Sequence, residues 1–174
     1  MTLRRDEFSL RKFGPATKVS TTRSVAAKPH DHQQRLAAKK ALRYPPVIFS
    51  GVQAVAIAQG FAQTLTEHDY IVHALSILPD HTHLVMTRHA RHVDEIAAHL
   101  KAKATASLAK QNLHPLERFA GKNGRLPSPW ARNHWCPFIR SEQHMRVAIR
   151  YVEANPVKAG LRPQHWSLVT PYEA

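Results

Sequence analysis

Apolar positions recur at helical spacing in three stretches and crowd into strand-like runs between them. Val52, Val55, Ala58, Phe61, Ala62 and Leu65 repeat every three or four residues, the period of a helix with one buried face. Ser50 stands where an N-cap belongs and Gln53 where a capping box needs its second side chain. Thr66-Glu67-His68-Asp69 closes this first helix. Residues 70–78 are rich in β-formers, Pro79-Asp80 is a turn signal, and residues 81–87 form a second strand. Together they predict an antiparallel hairpin. A second helix over 93–111 carries the stripe Ile96, Leu100, Ala104 and Leu108. Residues 112–132 read as loop, with His114-Pro115, Gly121-Lys122-Asn123-Gly124 and Pro127-Ser128-Pro129. A short strand is expected over 136–140, bordered by Trp130, Arg132 and Trp135. Ser141 caps a third helix over 142–154, whose buried stripe is Met145, Ala148, Ile149 and Val152. Pro156 is expected to stop it, because the residue before proline resists the α conformation.

The first 43 residues break this regularity. Leu3, Phe8, Leu10 and Phe13 are scattered without a sustained period. The pattern divides the chain into a basic, poorly structured arm over 1–43 and a folded domain with a C-terminal tail over 44–174. Val47-Ile48-Phe49 follows two prolines and is too short to offer a convincing strand. There is no internal repeat and no low-complexity block.

Charge adds a direction. The formal net charge is +13, and residues 1–43 hold eleven Lys/Arg against three Asp/Glu, a local excess of 11 − 3 = +8. Such a balance favours a polyanionic partner, since Lys and Arg release counterions from phosphates. Lys101, Lys103 and Lys110 lie off the apolar stripe of the second helix, as a phosphate-facing edge or an ordinary solvated face. The 174 residues suffice for one domain with its own core. Cys136 is the single cysteine, so no internal disulfide forms, which suits a reducing cytoplasm. No apolar run is long enough to span a bilayer, so no membrane partner is expected, and the basic N-terminus lacks the apolar segment of a secretory signal.

The chemistry gathers in Leu78-Pro79-Asp80-His81-Thr82-His83-Leu84-Val85-Met86. Alternate side chains of a strand share a face, so His81 and His83 point together and Thr82 points away. Two imidazoles on a rigid strand supply most of a divalent-metal site. A His-x-His pair is weak on its own in a chain with thirteen histidines, and a second pair, His30-Asp31-His32, lies in the arm. The strand at 81–83 is set apart by its apolar flanks. On the third helix Tyr151 and Asn155 are four residues apart and share a face. An amide oxygen is a hard ligand suited to Mg²⁺ or Mn²⁺, and a phenol beside a polarised phosphate is a nucleophile. The plain alternative is a half-buried helix tyrosine and an asparagine that ends its helix before proline. Trp130, Arg132 and Trp135 combine groups that stack on unpaired bases, or anchor the neighbouring strand.

Leu78-Pro79-Asp80-His81-Thr82-His83-Leu84-Val85, taken with Ile149-Arg150-Tyr151-Val152-Glu153-Ala154-Asn155-Pro156-Val157-Lys158-Ala159-Gly160-Leu161, closely resembles the single-tyrosine HUH transposases, in the branch of REP-associated tyrosine transposases. The resemblance covers roughly residues 70–172. It implies an α+β, ferredoxin-like βαββαβ fold, an antiparallel sheet with helices on one face. It also implies DNA transposition: a strand transferase and endonuclease that cuts and rejoins single-stranded or hairpin DNA through a 5′-phosphotyrosine. By that resemblance His81, His83 and Asn155 bind Mg²⁺ or Mn²⁺ and Tyr151 attacks the phosphate. Lys101, Lys103, Trp130, Arg132, Trp135 and Lys158 are the candidate DNA contacts. A bacterial cytoplasmic, nucleoid-associated monomer or homodimer is the expected setting.

Two departures stand against the family pattern. Thr82 occupies a position that is usually bulky and hydrophobic, which a β-branched residue on a strand accommodates. The first strand, which belongs beside the histidine strand, has no counterpart in the pattern of residues 1–43, so an exposed edge is expected there. Two other functions compete. A decayed or domesticated relative would bind structured DNA or RNA without cleavage. An unrelated metal hydrolase would use His81, His83 and a carboxylate such as Asp80, and would not need Tyr151.

Overall fold

The computed structural model describes residues 2–4, 33, 42–131 and 134–173. The elements that build the domain are β1 (Thr2–Arg4), α1 (Gly51–His68), β2 (Val72–Ile77), β3 (His81–Met86), α2 (Val93–Lys110), β4 (His134–Trp135) and α3 (Glu142–Lys158). The sheet order is β2-β3-β1-β4, and every neighbouring pair is antiparallel. This is the expected βαββαβ arrangement, followed by one further helix.

The local signals explain the main elements. The Ser50 hydroxyl accepts the Gln53 N–H while the Gln53 side chain accepts the Ser50 N–H, so the capping box is complete. Asp69 ends α1 in the left-handed conformation at φ 55°, which a short polar side chain tolerates. The β2–β3 hairpin turns at Pro79-Asp80, with the Leu78 N–H donating to the His81 carbonyl at 2.8 Å.

Cross-strand register sorts the side chains onto two faces. Leu75 pairs with Leu84 and Ile77 with Thr82. Leu75, Ile77 and Leu84 join Ile57, Phe61, Leu100 and Leu108 in the main core beneath α1 and α2. Ala74 pairs with Val85 and Ser76 with His83 on the opposite face. There Ala74 and Val85 pack against Val152 of α3, with Met145, Ala148 and Ile149 at the margin. The two helices of the βαββαβ unit therefore share one face as expected, and α3 covers the other, on the histidine side. Gly60 allows α1 and α2 to approach closely. A Cβ there would stand 2.6 Å from the Lys103 carbonyl oxygen and 2.7 Å from Ala104 Cα.

Three expectations are corrected. The first strand is present: Thr2–Arg4 pairs with β3 on one side and β4 on the other, so the histidine strand has no exposed edge. Three residues carrying one apolar side chain leave no detectable period. Their strand conformation comes from the partners rather than from the segment. Residues 5–32 and 34–41 of the arm, with His30-Asp31-His32, lie outside the described residues. Second, the strand expected over 136–140 is displaced to His134–Trp135.

Third, Pro156 does not end α3. The helix runs to Lys158, with Pro156 inside it. It closes where Gly160 takes φ +73°, the Leu161 N–H reaches the Pro156 carbonyl, and the Gly160 N–H reaches Val157. That pair of bonds is a Schellman closure, and it outweighs the local cost of the proline so near the end.

The C-terminal tail then covers the outer edge of β2. The Gln164 amide exchanges two hydrogen bonds with the Ile77 main chain, and the Thr170 N–H donates to the Val72 carbonyl. The backbone groups that an edge strand leaves open to pairing with another chain are thus occupied.

Candidate active site

The exposed half of the α3 face holds the residues singled out by the sequence. His81 and His83 project from β3 with ring centroids 4.7 Å apart and planes perpendicular. The Asp80 carboxylate lies 2.6 Å from His81 Nδ1. With the Nδ1 hydrogen donated to Asp80, His81 keeps the Nε2 lone pair for a ligand, the arrangement that orients metal-binding imidazoles. By sequence Asp80 counts only as a rival ligand, and its adjacency to His81 at a tight turn is the available clue.

Tyr151 comes from the facing helix. Its ring meets His83 edge-on at 5.7 Å between centroids, and half of the residue (51%) is exposed. Lys158, two helical turns further on, places Nζ 5.3 Å from the Tyr151 ring centroid, a cation–π contact. Its ammonium therefore stands beside the phenol, where it would meet an incoming anion.

Asn155 lies one turn beyond Tyr151 and is buried at 7% exposure. Its side-chain Nδ2 atom has no hydrogen-bond partner among the described residues. The orphaned Nδ2 is a hydrogen-bond donor, so it marks a missing acceptor such as water, and a cation would take the Oδ1 of the same amide. Two imidazoles and an amide oxygen are by their chemistry donors that a divalent cation accepts. Among the described residues no group of three His, Cys, Asp or Glu side chains is arranged to hold a metal. Ser76, opposite His83 in the hairpin, is a second buried group on this face whose hydroxyl lacks a partner among the described residues.

The candidate DNA contacts separate clearly. Lys158 is at the site, and Trp135 on β4 is half exposed. Lys103 belongs to the α1–α2 layer, where it pairs with Glu67. Lys101 donates to the Ala131 carbonyl at 2.7 Å and tethers the loop before β4. Trp130 is corrected from a stacking surface to a core anchor. It is 7% exposed, packs against Phe49 and Phe61, and its Nε1–H donates to Thr105 Oγ1 at 3.0 Å. Its indole has no free face to offer a base. Arg132 lies outside the described residues.

Comparison with known proteins adds a family context. The chain is similar to the REP-associated tyrosine transposases. A protein of Haemophilus influenzae that bears this name is 32% identical over 106 residues, which is 58% of this chain and 57% of that protein. The chain thus spans little more than half the length of that curated relative. A solved structure of a REP-associated tyrosine transposase bound to a REP hairpin superimposes with a TM-score of 0.50 at 15% identity. It covers 76% of this chain and 88% of its own, and at that identity it speaks for the fold. No protein-family model matches the chain.

Proposed function

We propose that this protein cuts and rejoins single-stranded or hairpin DNA, with Tyr151 as nucleophile. The observation that carries the reading is the meeting of Tyr151 with His83, itself beside His81, across the α3–β3 contact, between residues some seventy positions apart. The similarity to a REP-associated tyrosine transposase and the positive charge of +13 support the same substrate class.

The reaction follows from the groups present. The Tyr151 hydroxyl attacks the scissile phosphorus, forming the Tyr151 Oη–P bond as the P–O3′ bond breaks. The phenolic proton is lost to solvent and the departing 3′ oxygen takes up a proton. The products are a 5′-phosphotyrosine and a 3′-hydroxyl. The reverse attack by a 3′-hydroxyl rejoins strands and frees Tyr151, so the phosphodiester energy is conserved without ATP. His81, His83 and Asn155 would hold Mg²⁺ or Mn²⁺. When bound, that ion supplies charge stabilisation to a non-bridging phosphate oxygen. Asp80 holds the His81 ring in the ligand orientation, and Lys158 offers a cation to the phosphate next to Tyr151.

The test is incubation of the protein with a labelled hairpin carrying single-stranded flanks, in Mg²⁺ or Mn²⁺, followed by denaturing electrophoresis. A covalent protein–DNA species is expected from the natural chain and its complete loss from Tyr151→Phe. DNA affinity and the thermal midpoint should be unchanged, because the ring and its contacts remain. Cleavage retained by Tyr151→Phe would transfer the chemistry to water and favour a metal hydrolase.

A further inference from the structure

The register of the sheet places Trp135 on the reactive face. Trp135 pairs directly with Thr2, and Thr2 pairs directly with His83. Directly paired residues of antiparallel strands project from the same face. Through the backbone register of Thr2, Ser76, His83 and Trp135 therefore fall in one row across the sheet. The neighbouring residue provides an independent check. His134 pairs with Leu3, which pairs with Thr82 on the packed face. Its ring indeed reaches Asp94 in the first turn of α2, at 3.4 Å, with the side chain 6% exposed. Alternation then sends Trp135 to the other side, where it keeps 48% of its surface exposed.

Two strand spacings separate Trp135 from His83, roughly 10 Å. The packing of α3 is centred on β2 and β3 through Ala74, Val85 and Val152, the half of the sheet away from β4. An exposed indole thus stands beside the histidine–tyrosine site, within reach of the nucleotide next to a phosphate held at Tyr151. Indoles present an apolar face on which any base stacks.

We infer that Trp135 is a stacking platform for an unpaired base flanking the scissile phosphate, and that it sets which phosphodiester reaches Tyr151. This rests on the cleavage reading above for the identity of the substrate. It makes the substrate strand single-stranded at that position, since a base inside a duplex has both faces stacked on its neighbours.

The test uses the full chain and a panel of the hairpin oligonucleotides in which each flanking nucleotide in turn is made abasic. Affinity is measured in EDTA, and adduct formation is scored in parallel with Mg²⁺ or Mn²⁺. Trp135→Ala should weaken binding of the intact oligonucleotide roughly tenfold, and Trp135→Phe should restore most of it. On the one oligonucleotide that lacks the stacked base, the natural chain and Trp135→Ala should bind alike, and the cleavage position of the natural chain should become imprecise. Equal binding of the natural chain and Trp135→Ala to the intact oligonucleotide would overturn the platform, even where adduct forms. A loss that persists on every abasic oligonucleotide would do the same. A base-dependent loss without any adduct would keep the platform and remove the cleavage reading. No DNA binding by the natural chain would remove both.

Discussion

The two faces of the sheet are built on opposite principles. Beneath α1 and α2 the contacts are apolar and closed: Ile57, Phe61, Leu100 and Leu108 are almost wholly buried, and Gly60 lets the two helix backbones nearly touch. Beneath α3 a small apolar contact of Ala74, Val85 and Val152 gives way to histidines and a half-exposed tyrosine. The first face supplies stability, and its side chains are replaceable by others of like volume. The second leaves histidines and a tyrosine partly open to solvent beside its packing, and departures of that kind from closed packing concentrate where a protein acts.

This contrast predicts where substitutions hurt. Phe61→Ala empties a site at the centre of the packed face, where the ring is 1% exposed and lies beside Trp130. It should cost about 3–5 kcal/mol of unfolding free energy, read from denaturant titration. A loss under about 1 kcal/mol would mean that this face is not the main core. Gly60→Ala is a sharper probe of the same face. In an isolated helix alanine would gain about 1 kcal/mol over glycine. Here the new Cβ meets backbone that cannot rotate away, and overpacking of about 1–3 kcal/mol is expected to win. The thermal midpoint should therefore fall, and a rise would show that the helices are free to separate.

A smaller effect comes with acid. Burial holds the His114 imidazole below the ordinary histidine value, with Glu117 opposing. Burial does the same at His134, helped by Lys101 and opposed by Asp94. Both residues are then neutral in the fold at a pH where the unfolded chain has begun to bind protons near 6.5. The unfolded state holds more protons, so stability is complete above about pH 6.5 and declines as pH falls below it. The thermal midpoint should drop between pH 7.5 and 5.5, and His114→Gln should shrink the drop. A midpoint that rises on acidification would contradict the burial of these rings.

The two faces also differed in how far the sequence revealed them. The packed face announced itself through the periods of α1 and α2 and through Ser50 and Gln53, because amphipathic repetition and caps are local properties. The hairpin and the shared face of His81 and His83 followed from the two-residue period of a strand. What stayed hidden depended on partners far along the chain. Thr2–Arg4 is a strand only because β3 and β4 receive it. Trp130 and Trp135 looked alike in sequence, yet one sits among Phe49, Phe61 and Thr105 and the other stands open on the edge strand.

Pro156 misled because a rule about one residue was set against the closure that Gly160 and Leu161 make four and five residues later. The longer helix matters for the chemistry. Tyr151 lies outside the last turn of α3, so the carbonyl end of the helix dipole opposes a nearby anion less than a helix ending at 154 would.

The central claim is that Tyr151, held against the histidine strand, forms the bond to DNA. The most direct measurement is mass spectrometry of peptides from the trapped protein–DNA species after nuclease trimming. The account predicts a nucleotide 5′-phosphate mass on the peptide containing Tyr151. Attachment at Tyr44, Tyr70 or Tyr172, or strand cleavage in Mg²⁺ or Mn²⁺ with no modified peptide, would contradict it.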